Sequence, residues 1–122
     1  MIVGLGTDIV DIDRFERAVD RWGDRFVGRI LTVSERSYCE AKVQSIPSMA
    51  VRFAAKEAMI KCLTPEHQPR FRWLDMQVVN TPEGKPAVVL SGALEEMLDR
   101  HDIHISLSHS HRSAVAVVIL CG

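Results

Sequence analysis

Two short segments of this chain carry side chains that could do chemistry together. Asp8 follows Gly4 and Gly6 at the end of an apolar, strand-like run, and Glu57 and Lys61 lie four residues apart on a predicted helix. Each segment places a carboxylate where its apolar neighbours predict burial, and the second adds an ammonium group one helical turn further on. Two carboxylates and an ammonium group in one pocket would suit a magnesium ion and a diphosphate.

The helix that carries Glu57 and Lys61 also admits a simpler interpretation. An acid four residues before a lysine is the orientation that favours a surface ion pair. Ala50 and Ala54, however, continue the same stripe toward the start of the helix, so the charged pair extends a small, apolar surface. Such a pair is partly desolvated unless it meets a ligand, which favours a functional site.

A second basic stripe on this helix consists of Arg52 and Lys56, which are also four residues apart. Like charges at this spacing destabilise a helix slightly, and a bound phosphate would offset that cost. His109 lies at the end of a later predicted strand and is a candidate for contacting a phosphate or hydroxyl group; an exposed turn histidine is the alternative. The spacing of the C-terminal histidines matches no zinc motif, so we expect no zinc site.

The first predicted helix separates its charges by angle. Its core-facing stripe consists of Ile12, Phe15, Val19, Trp22 and Phe26. The two flanks of that stripe carry opposite signs, with Arg14, Arg17, Arg21 and Arg25 on one side and Asp13, Glu16, Asp20 and Asp24 on the other. The alternative is a solvated face with local ion pairs. Because pairing alone would favour mixing the signs, the segregation predicts that the basic flank docks an acidic protein partner.

The order of predicted elements indicates an α+β fold, with one domain over residues 1–122, a largely antiparallel sheet and packed helices. Strands are expected at 2–10, 76–80, 87–90, 103–107 and 114–120, and helices at 12–26 (with a break near Gly23), 35–41, 45–63 and 91–100. Gly4 and Gly6 share a strand face with Asp8, which leaves room for a ligand or marks a tight packing contact. The last strand is apolar throughout, which predicts cover on both faces, with a neighbouring subunit as one possible cover.

Composition limits the class of protein. The chain has 122 residues, 47% hydrophobic and 25% charged, which fits one soluble globular domain. A formal net charge of −1 gives no general attraction to nucleic acid or membranes, and no apolar run reaches the length of a membrane span. The first residues are typical of a strand and not of a signal peptide, and the three cysteines lack metal-site spacing. We therefore expect reduced thiols and a cytoplasmic protein.

Two motifs together resemble holo-acyl-carrier-protein synthase, the small bacterial type of 4′-phosphopantetheinyl transferase. They are Gly-Leu-Gly-Thr-Asp-Ile-Val at residues 4–10 and Arg-Phe-Ala-Ala-Lys-Glu-Ala-Met-Ile-Lys at residues 52–61. Further similarity lies in residues 84–86, 104–109 and 114–116. The order and spacing of the motifs agree with the family over nearly the whole chain, so the set is more specific than any one of them.

The resemblance implies transfer of the phosphopantetheine arm of coenzyme A to a serine of apo acyl carrier protein, with release of adenosine 3′,5′-bisphosphate. It implies that Asp8 and Glu57 hold magnesium against the diphosphate. Lys61 would neutralise charge as the bond breaks. Arg52 and His109 match family positions near the phosphates of the nucleotide, and Lys56 joins them through the basic stripe.

The same resemblance concerns partners and assembly. Arg14 and Arg21 fall on the family's helix that docks the acidic carrier protein. The family is typically a homotrimer with sites between subunits, which agrees with the apolar last strand.

One segment departs from the family pattern. After the lysine that corresponds to Lys61 the family usually continues with a glycine-rich turn, whereas this chain has Cys62-Leu63-Thr64-Pro65-Glu66-His67. Glycines let backbone amides approach phosphate closely. The substitution predicts a different contact with coenzyme A or an unusual carrier protein.

Two alternatives to transfer stay open from the sequence. The same acids and lysine would serve a magnesium-dependent nucleotide diphosphate hydrolase with water as acceptor, although the basic flank favours a protein acceptor. A chain that lost catalysis with its glycine turn would be a non-catalytic carrier-protein or nucleotide binding module. In a transferase, either Glu57 or a metal-bound water would accept the serine proton, and the carrier would serve fatty-acid or polyketide synthesis.

Overall fold

The computed structural model describes residues 1–122, and its elements follow the predicted order. The strands are β1 (Ile2–Asp11), β2 (Met76–Asn80), β3 (Pro86–Leu90), β4 (Asp102–His109) and β5 (Ser113–Cys121). The helices are α1 (Ile12–Trp22), α2 (Asp24–Ile30), α3 (Val33–Glu40), α4 (Ser45–Cys62) and α5 (Gly92–Met97), and two 3-10 turns span Gln68–Arg70 and Trp73–Asp75. The predicted α+β class is confirmed. None of the helices has the length and apolar character needed to cross a membrane.

The strands form two antiparallel sheets. β5 lies between β1 and β4 in a three-stranded sheet, and β2 pairs with β3 in a separate two-stranded sheet. In the larger sheet Ala116 of β5 pairs with Asp8 on one side and with Leu107 on the other. The antiparallel arrangement was predicted, whereas the division into two sheets was not.

Helix α4 packs across the inner face of the larger sheet and explains the glycines of β1. A Cβ atom on Gly6 would lie 1.9 Å from the carbonyl oxygen of Ala58, and one on Gly4 would lie 2.8 Å from that of Cys62. Of the two interpretations of these glycines, tight packing is therefore correct. Because the helix approaches the strand so closely, its C-terminal half runs alongside Asp8.

The outer face of the larger sheet is open. Val3, Leu5 and Ile9 of β1 are 55%, 64% and 68% exposed. Alternate residues of β5 are buried against α4, and the residues between them are only half-buried. Within one chain, β5 is therefore covered on one face only, whereas its apolar sequence predicted cover on both faces.

Gly23 interrupts the first predicted helix. Its φ of 55° and ψ of −134° are not helical, so α1 ends at Trp22 and α2 begins at Asp24. Trp22 was predicted to face the core, but it is 52% exposed and its ring lies beside Arg21. The prediction was wrong because it continued one stripe through the break.

Candidate active site

Asp8 and Lys61 contact each other from distant parts of the sequence. Lys61 Nζ lies 3.2 Å from Asp8 Oδ1 and donates a hydrogen bond to the carbonyl oxygen of Thr7 at 2.9 Å. The side chain of Asp8 is 18% exposed and that of Lys61 is 55% exposed. The carboxylate is thus largely shielded, while the ammonium group remains accessible to a ligand.

Glu57 faces the same space. It lines a cavity of about 670 Å³, hereafter the acidic cavity, together with Asp8, Arg14, Phe15 and Phe53. Burial raises the pKa of Glu57, the negative charge of Asp8 raises this pKa further, and Lys61 opposes both effects. The structure thus places Asp8 in contact with Lys61 and at the same cavity as Glu57.

The two carboxylates of the acidic cavity fit a hard divalent cation. A cation between Asp8 and Glu57 would remove the repulsion that helps to raise the pKa of Glu57. No three His, Cys, Asp or Glu side chains cluster closely enough to hold a metal ion alone. A cation here would therefore need further oxygen ligands from a substrate or water, which is how magnesium commonly binds at phosphates.

Local structure directs α1 toward the acidic cavity. Asp11 ends β1 and caps α1, because its carboxylate accepts a hydrogen bond from the backbone N–H of Arg14 at 2.9 Å. The next residue, Phe15, is buried, and its ring centroid lies 5.5 Å from that of Phe26 and 5.6 Å from that of Phe53. The cavity therefore combines an acidic end with an aromatic wall.

Arg52 and His109 lie elsewhere in the chain. They line a second cavity of about 430 Å³, hereafter the arginine cavity, together with Tyr38, Lys42 and Asn80. The structure therefore brings these two predicted phosphate contacts together, but it does not bring them into the acidic cavity of the same chain.

Arg52 is buried without a carboxylate partner. It is 4% exposed, its Nη2 donates to Asn80 Oδ1 at 3.0 Å, and its Nη1 donates to the carbonyl and hydroxyl oxygens of Ser48. Its Nε has no hydrogen-bond partner, and it takes part in none of the ion pairs of the chain. A buried guanidinium without a counter-charge favours an anionic ligand such as a phosphate.

The predicted phosphate contact of Lys56 is wrong. Its side chain is fully buried, and its Nζ donates to the carbonyl oxygens of Ile30 and Trp73 at 2.7 and 3.0 Å and to Glu35 Oε1 at 2.7 Å. Because these bonds use all three donors of the ammonium group, none is left for a ligand. Arg52 therefore lines the arginine cavity, whereas Lys56, on the same stripe of α4, lies in the protein interior.

The basic flank of α1 is exposed and forms no ion pairs. Arg14, Arg17 and Arg21 line one surface groove. Arg25 follows the break at Gly23 and lines a separate hollow. Since none of the four arginines pairs with a carboxylate, the local pairing considered from the sequence does not occur.

The cation–aromatic cluster in the arginine cavity was not predicted from the sequence. Lys42 Nζ and Arg52 Cζ each lie 4.6 Å from the ring centroid of Tyr38. Tyr38 and Lys42 are four residues apart, which is a usable signal, but α3 ends at Glu40 and Arg52 comes from α4. Only the tertiary structure brings the three side chains together.

Comparison with known proteins identifies the family. A sequence model described as the 4′-phosphopantetheinyl transferase superfamily matches residues 4–119. The chain belongs to this superfamily. The transferase is 40% identical over 123 residues to a holo-[acyl-carrier-protein] synthase of Koribacter versatilis, and the match covers 98% of each chain.

Solved structures agree with this assignment. The transferase resembles a holo-(acyl-carrier-protein) synthase from Bacillus anthracis, determined in complex with CoA (3′,5′-ADP), with a TM-score of 0.81 and 37% identity over 98% of this chain and 96% of that one. It resembles the holo-[acyl-carrier-protein] synthase of Neisseria meningitidis with a TM-score of 0.87 and 29% identity over the full length of both. The similarity thus extends over nearly the whole fold.

Proposed function

We propose that this transferase moves the 4′-phosphopantetheine group of coenzyme A to a serine of apo acyl carrier protein and releases adenosine 3′,5′-bisphosphate. The observation that carries the proposal is the convergence of Asp8, Glu57 and Lys61 in a chain of this superfamily. The named relatives support the same substrates. We place the reaction in the cytoplasm, in lipid biosynthesis.

The reaction exchanges one phosphorus–oxygen bond for another. The serine oxygen forms a bond to the phosphorus that carries pantetheine, and the bond from that phosphorus to the bridging oxygen breaks. The bridging oxygen leaves with the nucleotide. Lys61 would stabilise the negative charge that develops on the phosphates; its accessible ammonium group beside Asp8 supports this role.

The serine proton needs an acceptor, which would be Glu57 or a water bound to the magnesium ion. The Glu57 side chain lines the acidic cavity beside Asp8. Asp8 pairs with Lys61. Asp8 and Glu57 would hold the magnesium ion, which when bound supplies positive charge to the diphosphate oxygens.

The arginine cavity is proposed to bind the nucleotide end of coenzyme A. Arg52 supplies an uncompensated positive charge, and His109 lies at the same cavity. Because neither residue lines the acidic cavity of its own chain, a complete site is proposed to form between two subunits. The open face of the larger sheet supports a homotrimer, since burial of its apolar residues would favour association.

The basic flank of α1 is proposed to dock the carrier protein. Arg14 belongs both to this flank and to the lining of the acidic cavity. A carrier bound along Arg14, Arg17 and Arg21, and extending to Arg25, would therefore present its serine next to Asp8 and Glu57. Its acidic surface would complement the unpaired arginines.

One incubation separates transfer from its rivals. The protein is mixed with coenzyme A, magnesium and an apo acyl carrier protein, and the carrier is weighed by mass spectrometry. A mass gain of one phosphopantetheine supports transfer. Cleavage of coenzyme A without a modified carrier would indicate a nucleotide diphosphate hydrolase, and binding without reaction would indicate a non-catalytic module. A carrier with its acceptor serine changed to alanine is the control.

A further inference from the structure

One ion pair of the chain has both side chains fully buried. Glu35 Oε1 accepts a hydrogen bond from Lys56 Nζ at 2.7 Å, and both side chains are 0% exposed. Lys56 also donates to the carbonyl oxygens of Ile30 and Trp73. Glu35 Oε2 accepts the backbone N–H of Val78 at 2.8 Å. The network therefore joins α4 to α2, α3, a 3-10 turn and β2.

Stability alone gives no reason for such a pair. Removing two charges from water is costly, and replacement of a buried ion pair by apolar groups of similar volume is often neutral or stabilising. Hydrogen bonds differ from apolar contacts because they are directional. Here the three acceptors of Lys56 come from three separate elements. They therefore fix the rotation of α4 about its own axis.

The rotation of α4 matters because one helix carries most of the candidate site. Glu57 directly follows Lys56 in the sequence. Lys61 is one turn after Glu57, and Arg52 is one turn before Lys56. A side-chain end lies roughly 6 Å from the helix axis, so a rotation of about 20° would displace it by about 2 Å. An error of about 1 Å in a reacting group is enough to slow a reaction by about 100-fold.

No hydrogen bond or ion pair fixes the side chain of Glu57. Its environment consists of burial and the charges of Asp8 and Lys61, with no hydrogen bond to its carboxylate. Asp8, in contrast, is held by Lys61 Nζ. The position of the Glu57 carboxylate therefore depends on the backbone of α4.

We infer that the buried Glu35–Lys56 pair positions the site by fixing the rotation of α4 that places Glu57 opposite Asp8. Neither residue of the pair lines the acidic cavity. They act through the helix and not on the substrate, so they are positioning residues. This inference rests on the proposed function, because it concerns how the magnesium site and the proton acceptor are held.

The test removes both charges at nearly constant volume in the double variant Glu35→Gln/Lys56→Met. Magnesium is titrated calorimetrically into wild type and variant, each saturated with coenzyme A, and transfer is then measured at saturating magnesium. The variant is expected to melt within a few degrees of wild type. Its Kd for magnesium is expected to rise at least tenfold and its kcat to fall at least tenfold, with the KM for the carrier unchanged.

Leu94→Ala is the matched control. Leu94 is fully buried in α5 and belongs to neither cavity. This variant is expected to lower the melting temperature and to leave the magnesium Kd and kcat at wild-type values below that temperature. This control distinguishes the effect of lower stability from the effect of a rotated helix α4.

A folded double variant with the magnesium Kd and kcat of wild type would overturn the inference. If the double variant does not fold, Glu35→Gln alone is titrated below its melting temperature. A threefold or larger rise in magnesium Kd then supports the inference, and an unchanged Kd overturns it. If wild type itself neither binds magnesium nor transfers the group, the proposed function fails; if wild type does both, only the positioning role is at stake.

Discussion

Gly6 of β1 and Ala58 of α4 approach so closely that a Cβ atom on Gly6 would lie 1.9 Å from the carbonyl oxygen of Ala58. The contact sets the distance between the strand that carries Asp8 and the helix that carries Glu57. Backbone cannot yield as a flexible side chain can, so any larger residue at position 6 must push the two elements apart.

Gly6→Ala is therefore expected to destabilise the protein by about 1–3 kcal/mol and to reduce transfer more than tenfold. Urea unfolding and the mass-spectrometric transfer assay measure the two effects. Gly28→Ala is the control, because a Cβ atom there meets nothing within 4 Å. Gly28 lies in α2, and its replacement is expected to stabilise the protein by up to about 1 kcal/mol with normal activity. Wild-type stability and activity in Gly6→Ala would contradict this account of the site.

Glu57→Gln is expected to abolish transfer and yet to raise the melting temperature of the magnesium-free protein by about 2 °C or more at neutral pH. Burial and the charge of Asp8 raise the pKa of Glu57, so its ionisation is less favourable in the folded than in the unfolded state. The destabilisation is absent below the ordinary pKa of 4.5 and is complete above the raised folded pKa.

The difference in melting temperature between Glu57→Gln and wild type should therefore vanish below about pH 4 and grow as the pH rises toward neutrality. Thermal melts across this range in magnesium-free buffer provide the measurement. Glu83→Gln, at an exposed position in the turn between β2 and β3, is expected to change neither transfer nor the melting temperature. A difference in melting temperature that grew toward low pH would contradict a raised pKa of Glu57.

Reversal of Arg14 and Arg21 to glutamate is expected to raise the KM for the carrier protein at least tenfold and to change the affinity for coenzyme A far less. The reason is that both arginines are exposed and unpaired, and neither lines the arginine cavity. Steady-state kinetics with each substrate varied in turn make the comparison. Arg100→Glu, an exposed charge reversal after α5, should leave both constants unchanged. Equal losses for the two substrates would refute the docking role.

Arg52→Met is expected to weaken coenzyme A binding at least tenfold while sparing the KM for the carrier. It removes a guanidinium that has no carboxylate partner and that we assign to a phosphate. Calorimetric titration with coenzyme A measures the loss. Lys85→Met, which removes an exposed charge next to the same cavity without lining it, is the control. Undiminished coenzyme A affinity in folded Arg52→Met would exclude the proposed contact.

Leu5→Glu is expected to yield a folded monomer with little transfer activity. Leu5 is 64% exposed on the open face of the larger sheet, so a charge there costs the single chain little and opposes burial between subunits. Analytical ultracentrifugation would show the mass of the assembly. Val33→Glu changes a residue that is 85% exposed on α3 and should leave the assembly intact. If wild type sedimented as a monomer, the proposed trimer would be abandoned.

Long, regular patterns were the predictable part of this fold. The period of β1 placed Gly4, Gly6 and Asp8 on one face, and the spacing of Glu57 and Lys61 placed both on one side of α4. Since both elements are long, small errors at their ends did not change which residues met.

Other features depend on contacts that no local pattern encodes. Arg52 and Lys56 share the same helical spacing, but α4 is buried on several sides, so periodicity does not distinguish a cavity wall from the interior. The sequence predicted Glu35 only as the start of a helix at 35–41. In the structure it completes a capping box with Thr32, and it also accepts a hydrogen bond from Lys56, 21 residues later in the sequence.

Gly23 also decides what shape of carrier fits the basic flank. Its non-helical backbone divides the run of arginines between two axes, with Arg14, Arg17 and Arg21 on the first helix and Arg25 on the second. A partner that presents its acidic groups along a straight rod would meet three of these arginines and miss the fourth. Only a partner surface that follows the bend between α1 and α2 would contact all four arginines. Binding would therefore depend on the shape of the carrier as well as on its charge.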